Sequence, residues 1–173
     1  MSVDLQIVAN ALAETQLDQG PLPSAEQFER WARVALAQVN RLDSVDQHDI
    51  CIRITDSTES QTLNAQYRHQ DKPTNVLSFP ADLPVSADTL AAMESIPLGD
   101  LVLSLPIIVA EASEQRKPLT DHLAHLVMHG TLHLLGYDHE CDDDAQIMES
   151  IEIAALAECG IDNPYETESG ANS

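Results

Sequence analysis

The segment that most constrains the fold carries three of the seven histidines, His129, His133 and His139. Residues four apart on a helix lie one turn above each other on the same face, so a helix through residues 129 and 133 lets both rings approach one point. Gly136 is the residue type that ends a helix in a left-handed conformation, after which the chain can turn back toward that point. The spacing therefore predicts a long helix, a tight reversal and a cluster of three imidazoles.

Such a cluster predicts a metal site at the end of the long helix. Zinc in proteins is usually tetrahedral, so three protein nitrogens leave its fourth position open, as in catalytic rather than structural sites. We therefore predict one Zn²⁺ per chain, with another divalent ion as the alternative, because several ions bind imidazole well. His125 is in helical register one turn earlier and is interpreted as a packing or hydrogen-bonding neighbour. Cys141 follows His139 closely and is expected to cap or pack rather than to bind the metal.

The same spacing occurs in the zinc peptidase motif H-E-x-x-H-x-x-G-x-x-H, with one difference. The glutamate that acts as the general base in that motif is replaced here by Gly130. Asp138 is the one carboxylate that the sequence places beside the histidines, and a role in the turn explains it equally well. The missing glutamate therefore disfavours peptide hydrolysis.

Charge limits the partners that the chain can bind. It carries 29 acidic and 8 basic residues, a formal net charge of −21. Nucleic-acid binding usually relies on a basic surface, so this balance disfavours such a partner unless the few basic residues converge in one cleft. The sequence contains neither an apolar stretch of membrane-spanning length nor the features of a signal peptide, so we expect a cytoplasmic protein with no membrane partner. Three cysteines without close spacing predict free thiols.

Periodicity along the chain predicts four strands and about five helices. The strands are expected at residues 3–9, 50–54, 76–79 and 99–105, with loops over 10–23 and 81–97. The helices are expected from Ser24 to Leu42, from Asp56 through Tyr67, from Pro106 to Arg116, from Thr120 to Leu135 and from Ala145 to Ala157. Ser24 with Gln27 and Asp56 with Glu59 have the spacing of helix-capping pairs.

These elements predict an α+β fold, in which a small four-stranded sheet has about five helices packed against it. A chain of 173 residues, 43% of them hydrophobic, can bury a core as one domain. We assign that domain to residues 1–161. Residues 162–173 have little to bury and are predicted to form a disordered tail.

Three segments, taken together, resemble the YbeY family of bacterial rRNA maturation factors. They are Leu63-Asn-x-x-Tyr67-Arg68-x-x-Asp71-x-Pro73-Thr74-Asn75-Val76-Leu77-Ser78-Phe79-Pro80, then Leu98-Gly99-Asp100, then residues 129–139. The resemblance spans about residues 49–160 in order. It implies a metal-dependent endoribonuclease that prefers single-stranded RNA and acts in small-subunit (16S) rRNA maturation and ribosome quality control.

The resemblance also implies roles for particular residues and partners. The zinc ligands would be His129, His133 and His139, and the functionally important arginine would be Arg68. The partners would be ribosomal RNA of the small subunit, small-subunit ribosomal proteins and an assembly GTPase, with no role for DNA.

The chemistry of Arg68 is consistent with phosphate binding, because a guanidinium offers a planar fork of donors that matches phosphate oxygens. The alternative is an exposed residue at a helix end. Lys72, Arg53 and Asn75 are weaker candidates for the same cleft, and solvent exposure or turn chemistry explains each equally well. Asp100 is a candidate acceptor for the ring N–H of a ligand histidine, with a strand-edge hydrogen bond as its alternative.

Three function classes remain open from the sequence. The first is a metal-dependent endoribonuclease. The second is a zinc hydrolase of another substrate, peptidases included, which the loss of the glutamate disfavours. The third is a non-catalytic ribosome assembly factor with a structural metal, which an open fourth coordination position disfavours.

Overall fold

The computed structural model describes residues 1–18, 20–39, 45–83 and 86–166. Within these ranges it contains four strands and seven α-helices. The strands are β1 (Ser2–Ile7), β2 (His48–Thr55), β3 (Val76–Pro80) and β4 (Ile96–Ser104). The helices are α1 (Ala9–Glu14), α2 (Ala25–Ala37), α3 (Ser57–Arg68), α4 (Ala87–Ala91), α5 (Leu105–Glu114), α6 (Leu119–Leu134) and α7 (Asp142–Glu158), and a 3₁₀ turn (Val45–Gln47) precedes β2.

The strands form one mixed sheet in the order β1-β2-β4-β3. β1, β2 and β4 are parallel to their neighbours, and β3 joins the edge of β4 in the antiparallel sense. The predicted α+β class and the four strands are thus confirmed. Such a mixed sheet places β3, which follows the Tyr67-Arg68 segment, at one edge.

The predicted number of helices, about five, was too low. The two additional helices are α1, which begins at Ala9, the last residue of the predicted strand, and continues into the loop predicted over 10–23, and α4, inside the loop predicted over 81–97. They have six and five residues, which is too short for a helical period to be visible in the sequence. The predicted end of α2 at Leu42 falls outside the described residues.

The two helix caps predicted from spacing are present. The Ser24 hydroxyl accepts a hydrogen bond from the backbone N–H of Gln27, and the Asp56 carboxylate accepts one from that of Glu59. Helix α6 begins at Leu119, one residue before the predicted start at Thr120, and its N-cap residue is Pro118, which makes no side-chain hydrogen bond.

One face of the sheet packs against helices and forms the main core. Ile52 and Leu101 are opposite each other in the β2–β4 register and are fully buried. Leu101 lies against Gly130 of α6, so this face of the sheet supports the helix with the histidines. The neighbouring residues Cys51 and Asp100 are also paired, and since side chains alternate along a strand they point to the opposite face.

The sequence predicted free thiols and no membrane-spanning segment. Cys51, Cys141 and Cys159 are free thiols, as expected. Within the described ranges, every helix is too short or too polar to span a lipid bilayer.

Candidate metal centre

Helix α6 and the turn after it bring the three predicted histidines together. His129 and His133 lie one turn apart on α6, with ring centroids separated by 4.5 Å. Gly136 ends the helix with φ of 91°, and its N–H donates to the carbonyl of His133 at 2.9 Å. The chain then reverses and brings His139 back, so that one ring nitrogen from each histidine lies within 4.8 Å of the others.

Hydrogen bonds fix which nitrogen of His129 and His133 faces the cluster. Nδ1 of His129 lies 2.6 Å from Oε1 of Glu152, and Nδ1 of His133 lies 2.8 Å from the carbonyl oxygen of Tyr137. A carboxylate and a carbonyl can only accept, so both Nδ1 atoms carry the proton in the neutral rings. Both Nε2 atoms therefore carry lone pairs.

These two lone pairs face each other. Nε2 of His133 lies 2.9 Å from Nε2 of His129, and no proton is available between them when both rings are neutral. Two nitrogen ligands of a tetrahedral zinc are separated by about 3.3 Å, given zinc–nitrogen distances of about 2.0 to 2.1 Å. The donor set therefore fits a cation placed between the rings. Burial and the nearby His129 lower the pKa of His133, which favours the neutral form that binds metal.

Glu152 of α7 is the acceptor that orients His129. Its side chain is 0% exposed. Oε1 accepts from His129, while Oε2 lies 3.0 Å from Nε2 of His125 and also accepts from the hydroxyl of Tyr165. Burial raises the pKa of Glu152, but hydrogen bonds from His125 and His129 outweigh it and lower that pKa to about 2. The carboxylate is therefore ionised and acts only as an acceptor.

A second group, His125, His129 and Glu152, also brings three potential ligand atoms together. Its short contacts are, however, complete pairs of donor and acceptor, with the N–H of each ring directed at the carboxylate. The lone pairs of His129 and His133 have no such partner. The three histidines are therefore the better candidate of the two groups for binding a metal ion. Glu152 lies where a residue that orients a metal-binding histidine would lie.

The sequence interpretation missed Glu152 and suggested Asp100 in this role, which was wrong. Asp100 is exposed, and its side chain points away from the sheet face that packs on α6. A signal for Glu152 was available, because it lies four residues after Met148 and four before Leu156, both buried in α7. An acidic residue in the buried stripe of a helix needs a partner inside the protein.

Gly130, the position of the peptidase glutamate, faces the sheet. A Cβ atom built there would lie 2.8 Å from Cδ2 of Leu101 and 3.3 Å from Oγ of Ser78. Ser78 donates a hydrogen bond to the Gly130 carbonyl at 3.3 Å. Close packing of α6 on β3 and β4 thus leaves no space for a glutamate side chain at this position.

Asp138 and Cys141 flank His139 without joining the cluster. Oδ1 of Asp138 accepts from the backbone N–H of His139 at 2.7 Å and lies 3.8 Å from Nδ1 of that ring. Asp138 is thus a turn residue that shapes the approach of His139. Cys141 is exposed and precedes α7, and within the described part of the chain it belongs to neither group of potential ligands.

Arg68 is the last residue of α3 and is exposed. It makes no hydrogen bond or ion pair with any described residue. Its neighbour Tyr67 packs edge-on against Phe79 of β3, with ring centroids 5.1 Å apart. Phe79 follows Ser78, the residue through which β3 contacts α6, and pairs with Asp100 of β4. Arg68 therefore lies beside the edge strand β3, and no contact among the described residues joins it to the histidine cluster.

The weaker candidates differ in their availability. Arg53 forms an ion pair with Glu59 at 2.9 Å on the sheet face opposite α6, so it is not part of the cluster. Asn75 donates to the carboxylate of Glu111 at 3.2 Å, so its amide is engaged in structure. Lys72 is exposed in the turn after Arg68 and has no ion pair within the described residues.

A cleft of about 1140 Å³ opens beside the cluster. His129 and His125 line one side of it, and residues 161–166, which follow α7, line another. The tail was predicted to be disordered from residue 162. Its first residues, 162–166, are described, with Tyr165 packed against His125, while 167–173 lie outside the described residues.

Comparison with known families places this site in context. Residues 14–160 match the family model described as "Endoribonuclease YbeY". The match covers strands β2, β3 and β4, helices α6 and α7, and all three histidines of the cluster.

Curated relatives with the name "Endoribonuclease YbeY" match most of the chain. One from Colwellia psychrerythraea is 49% identical over 144 residues, which are 83% of this chain and 88% of that protein. One from Alteromonas mediterranea is 46% identical over 147 residues, 85% of this chain and 87% of that protein. One from Acinetobacter baumannii is 53% identical over 119 residues, 68% of this chain and 74% of that protein.

Proposed function

The chain belongs to the YbeY endoribonuclease family, a family of RNA hydrolases, and we propose that it uses the three-histidine cluster as a metal centre to cleave single-stranded RNA. We further propose that its substrate is the precursor of small-subunit (16S) rRNA and that it contributes to ribosome quality control. The observation that carries the metal-centre proposal is the pair of facing lone pairs on His129 and His133.

His129, His133 and His139 would hold one Zn²⁺ per chain, although another divalent ion fits the same nitrogens. Zinc supplies a Lewis acid that lowers the pKa of water and polarises a phosphoryl oxygen. The protein contributes the geometry. Glu152 and the Tyr137 carbonyl hold the two α6 rings in one tautomer, and the turn at Gly136 supplies the third nitrogen. His139 is exposed to solvent, and His129 also lines the cleft.

Arg68 is proposed to bind the phosphate that is cleaved. A guanidinium at the reacting phosphate can stabilise the charge that builds on its oxygens. Arg68 is free for this role because no described residue engages it, whereas Arg33 and Arg53 are held in ion pairs with carboxylates. Lys72, four residues later in the chain, is a second exposed cation without an ion pair among the described residues.

Arg68 and Lys72 are the cations through which we propose that a chain with a net charge of −21 binds RNA. Arg30 and Arg116 also lack ion pairs with described residues, so the cations are not all concentrated at one place. This proposal also predicts that RNA affinity depends only weakly on salt concentration, because few phosphates are neutralised. Selection among RNA molecules would then depend on partners, for which we propose small-subunit ribosomal proteins and an assembly GTPase. The proposed setting is the cytoplasm, with neither DNA nor a membrane as a partner.

The other two function classes are less well supported. A peptidase of this motif needs a general base at residue 130, where the sheet excludes a glutamate. A purely structural metal would be enclosed by protein ligands, whereas His139 is exposed, with 58% of its side chain accessible.

The experiment compares purified protein on a fluorescent single-stranded RNA, on the same RNA in a duplex and on an unstructured peptide. Each substrate is tested with and without a chelator, and after return of Zn²⁺. We expect cleavage of the single strand alone, lost with the chelator and restored by zinc. Peptide cleavage would support the hydrolase alternative, and loss of stability in the chelator without any cleavage would support the structural one.

A further inference from the structure

Residues 162–166, which follow α7, lie beside the proposed metal centre. The side chain of Tyr165 contacts Glu152 and His125 there. The Tyr165 hydroxyl donates to Oε2 of Glu152, and Nε2 of His125 lies 3.2 Å from the hydroxyl oxygen. The Tyr165 ring packs edge-on against His125 with centroids 5.5 Å apart. The segment itself forms a turn in which the backbone N–H of Tyr165 donates to Oδ1 of Asn163 at 2.9 Å.

One carboxylate separates this tyrosine from a proposed metal ligand. Oε1 of Glu152 accepts from His129, while Oε2 accepts from Tyr165. A carboxylate rotates as a rigid plane, so a bond that fixes one oxygen also fixes the other. Because Glu152 is fully buried, water cannot replace the hydroxyl without a change in packing.

We propose that Tyr165 is a positioning residue of the metal centre, acting through Glu152 on His129. Metal binding and docking of residues 162–166 then favour each other. Coupling between two binding equilibria is reciprocal, so the docked segment increases metal affinity and the metal holds the segment in place to the same extent. This inference rests on the proposed function, since it requires that His129 is a metal ligand.

The arrangement also connects the metal to the shape of the cleft. Asp162, Asn163, Pro164 and Tyr165 line the cleft that reaches His129. If the segment leaves its position, this wall of the cleft is lost together with the hydrogen bond to Glu152. A metal-loaded chain would therefore present a complete cleft more often than a metal-free one.

The first test measures Zn²⁺ affinity by competition with a chromophoric chelator for the full chain and for Tyr165→Phe. The matched control is Tyr67→Phe, which removes the same hydroxyl from a tyrosine whose hydroxyl has no hydrogen-bond partner among the described residues. We expect Tyr165→Phe to weaken zinc binding about fivefold or more, the lower end of typical coupling, and Tyr67→Phe to leave it unchanged. The visible spectrum of the Co²⁺-loaded protein should shift in Tyr165→Phe alone.

The second test examines the reciprocal effect in the unmodified chain. A serine carboxypeptidase removes the C-terminal residues, and mass spectrometry follows the rate at which Tyr165 is lost. We expect Zn²⁺ to slow this loss in the wild type and to have little effect in Glu152→Gln, where the link between segment and ligand is altered.

The outcomes separate this inference from the proposed function. Equal zinc affinity of the wild type and Tyr165→Phe, or digestion that does not respond to zinc, would overturn the coupling while leaving the metal centre intact. Failure of the wild type to bind zinc at all would overturn both. Weaker zinc binding in Tyr165→Phe with normal thermal unfolding of the metal-free protein supports the inference.

Discussion

The carboxylate of Glu152 and the Nδ1 atom of His129 are 2.6 Å apart, and this contact connects the buried part of α7 to the open side of the histidine cluster. The contact gives the buried carboxylate of Glu152 a hydrogen-bond donor. It also directs Nε2 of His129 toward His133 and His139. Burial of this charge and the proposed metal binding thus share one hydrogen bond.

Replacement of Glu152 by glutamine should weaken metal binding. An amide oxygen accepts less strongly than a carboxylate, and an amide rotated the other way would present a donor to His129. We expect zinc affinity to fall about 10- to 100-fold, as for other residues that orient metal-bound histidines. Calorimetric titration of metal-free protein measures it, with the exposed Glu158→Gln on the same helix as the control. Equal affinities for the wild type and Glu152→Gln would exclude the orienting role.

Replacement of Arg68 by alanine should reduce cleavage without reducing stability. The side chain is exposed and has no partner among the described residues, so the fold loses little. We expect kcat/KM on single-stranded RNA to fall about 100-fold or more, as when one transition-state donor is removed. Arg30→Ala is the charge-matched control, because Arg30 is an exposed arginine on α2. Cleavage by Arg68→Ala at the wild-type rate would refute phosphate binding by this residue.

Replacement of Gly130 should disturb the fold rather than create a peptidase. A Cβ atom would lie 2.8 Å from a side-chain carbon of Leu101, which is itself fully buried. We expect Gly130→Ala to cost about 1 to 2 kcal/mol, overpacking being partly offset by the higher helix propensity of alanine, and Gly130→Glu to cost more. Urea unfolding measures both. A stable Gly130→Glu variant that cleaves peptide would show that the sheet does not exclude the glutamate.

The pair formed by Glu111 and His122 should make stability depend on pH. Nε2 of His122 lies 2.6 Å from the Glu111 carboxylate. Burial raises the pKa of Glu111, but hydrogen bonds from His122 and Asn75 outweigh it, so the net pKa is lowered from its ordinary value of 4.5. A carboxylate with a lowered pKa in the folded state stabilises the protein above its unfolded pKa, and this contribution is lost as pH falls through the folded value.

We therefore expect Glu111→Gln to reduce the free energy of unfolding by about 1 to 2 kcal/mol near neutral pH. The difference from the wild type should diminish as pH falls below about 4.5, because the wild-type carboxylate is then protonated as well. Urea unfolding of both proteins across this range provides the test. A difference that stays constant or grows in acid would contradict the assignment.

Much of the architecture could be predicted because it is encoded locally. Ile50, Ile52 and Ile54 alternate with polar residues, and their strand lies in the centre of the sheet. The cluster of His129, His133 and His139 could be predicted because a helix and a glycine-dependent turn determine the approach of the three rings. The short helices α1 and α4 could not, because five or six residues do not span enough turns to show a period.

What the sequence could not show were contacts between segments distant along the chain. Glu152 is 23 residues from His129, and Tyr165 is 13 residues from Glu152, so their meeting depends on how α7 packs against α6. Asp100 is an acceptor by residue type, but the alternation of side chains along β4 directs it to the other face. Predicting that choice would have required the register of the sheet and the face covered by α6.

The most direct test of the metal centre is an anomalous difference map, recorded at the zinc edge, from crystals of the zinc-loaded protein. We predict one peak per chain about 2.1 Å from Nε2 of His129, Nε2 of His133 and a ring nitrogen of His139, with Glu152 hydrogen-bonded to His129 and outside the coordination sphere. A peak bound by Glu152 and His125, or the absence of a peak beside His133 and His139, would contradict the account.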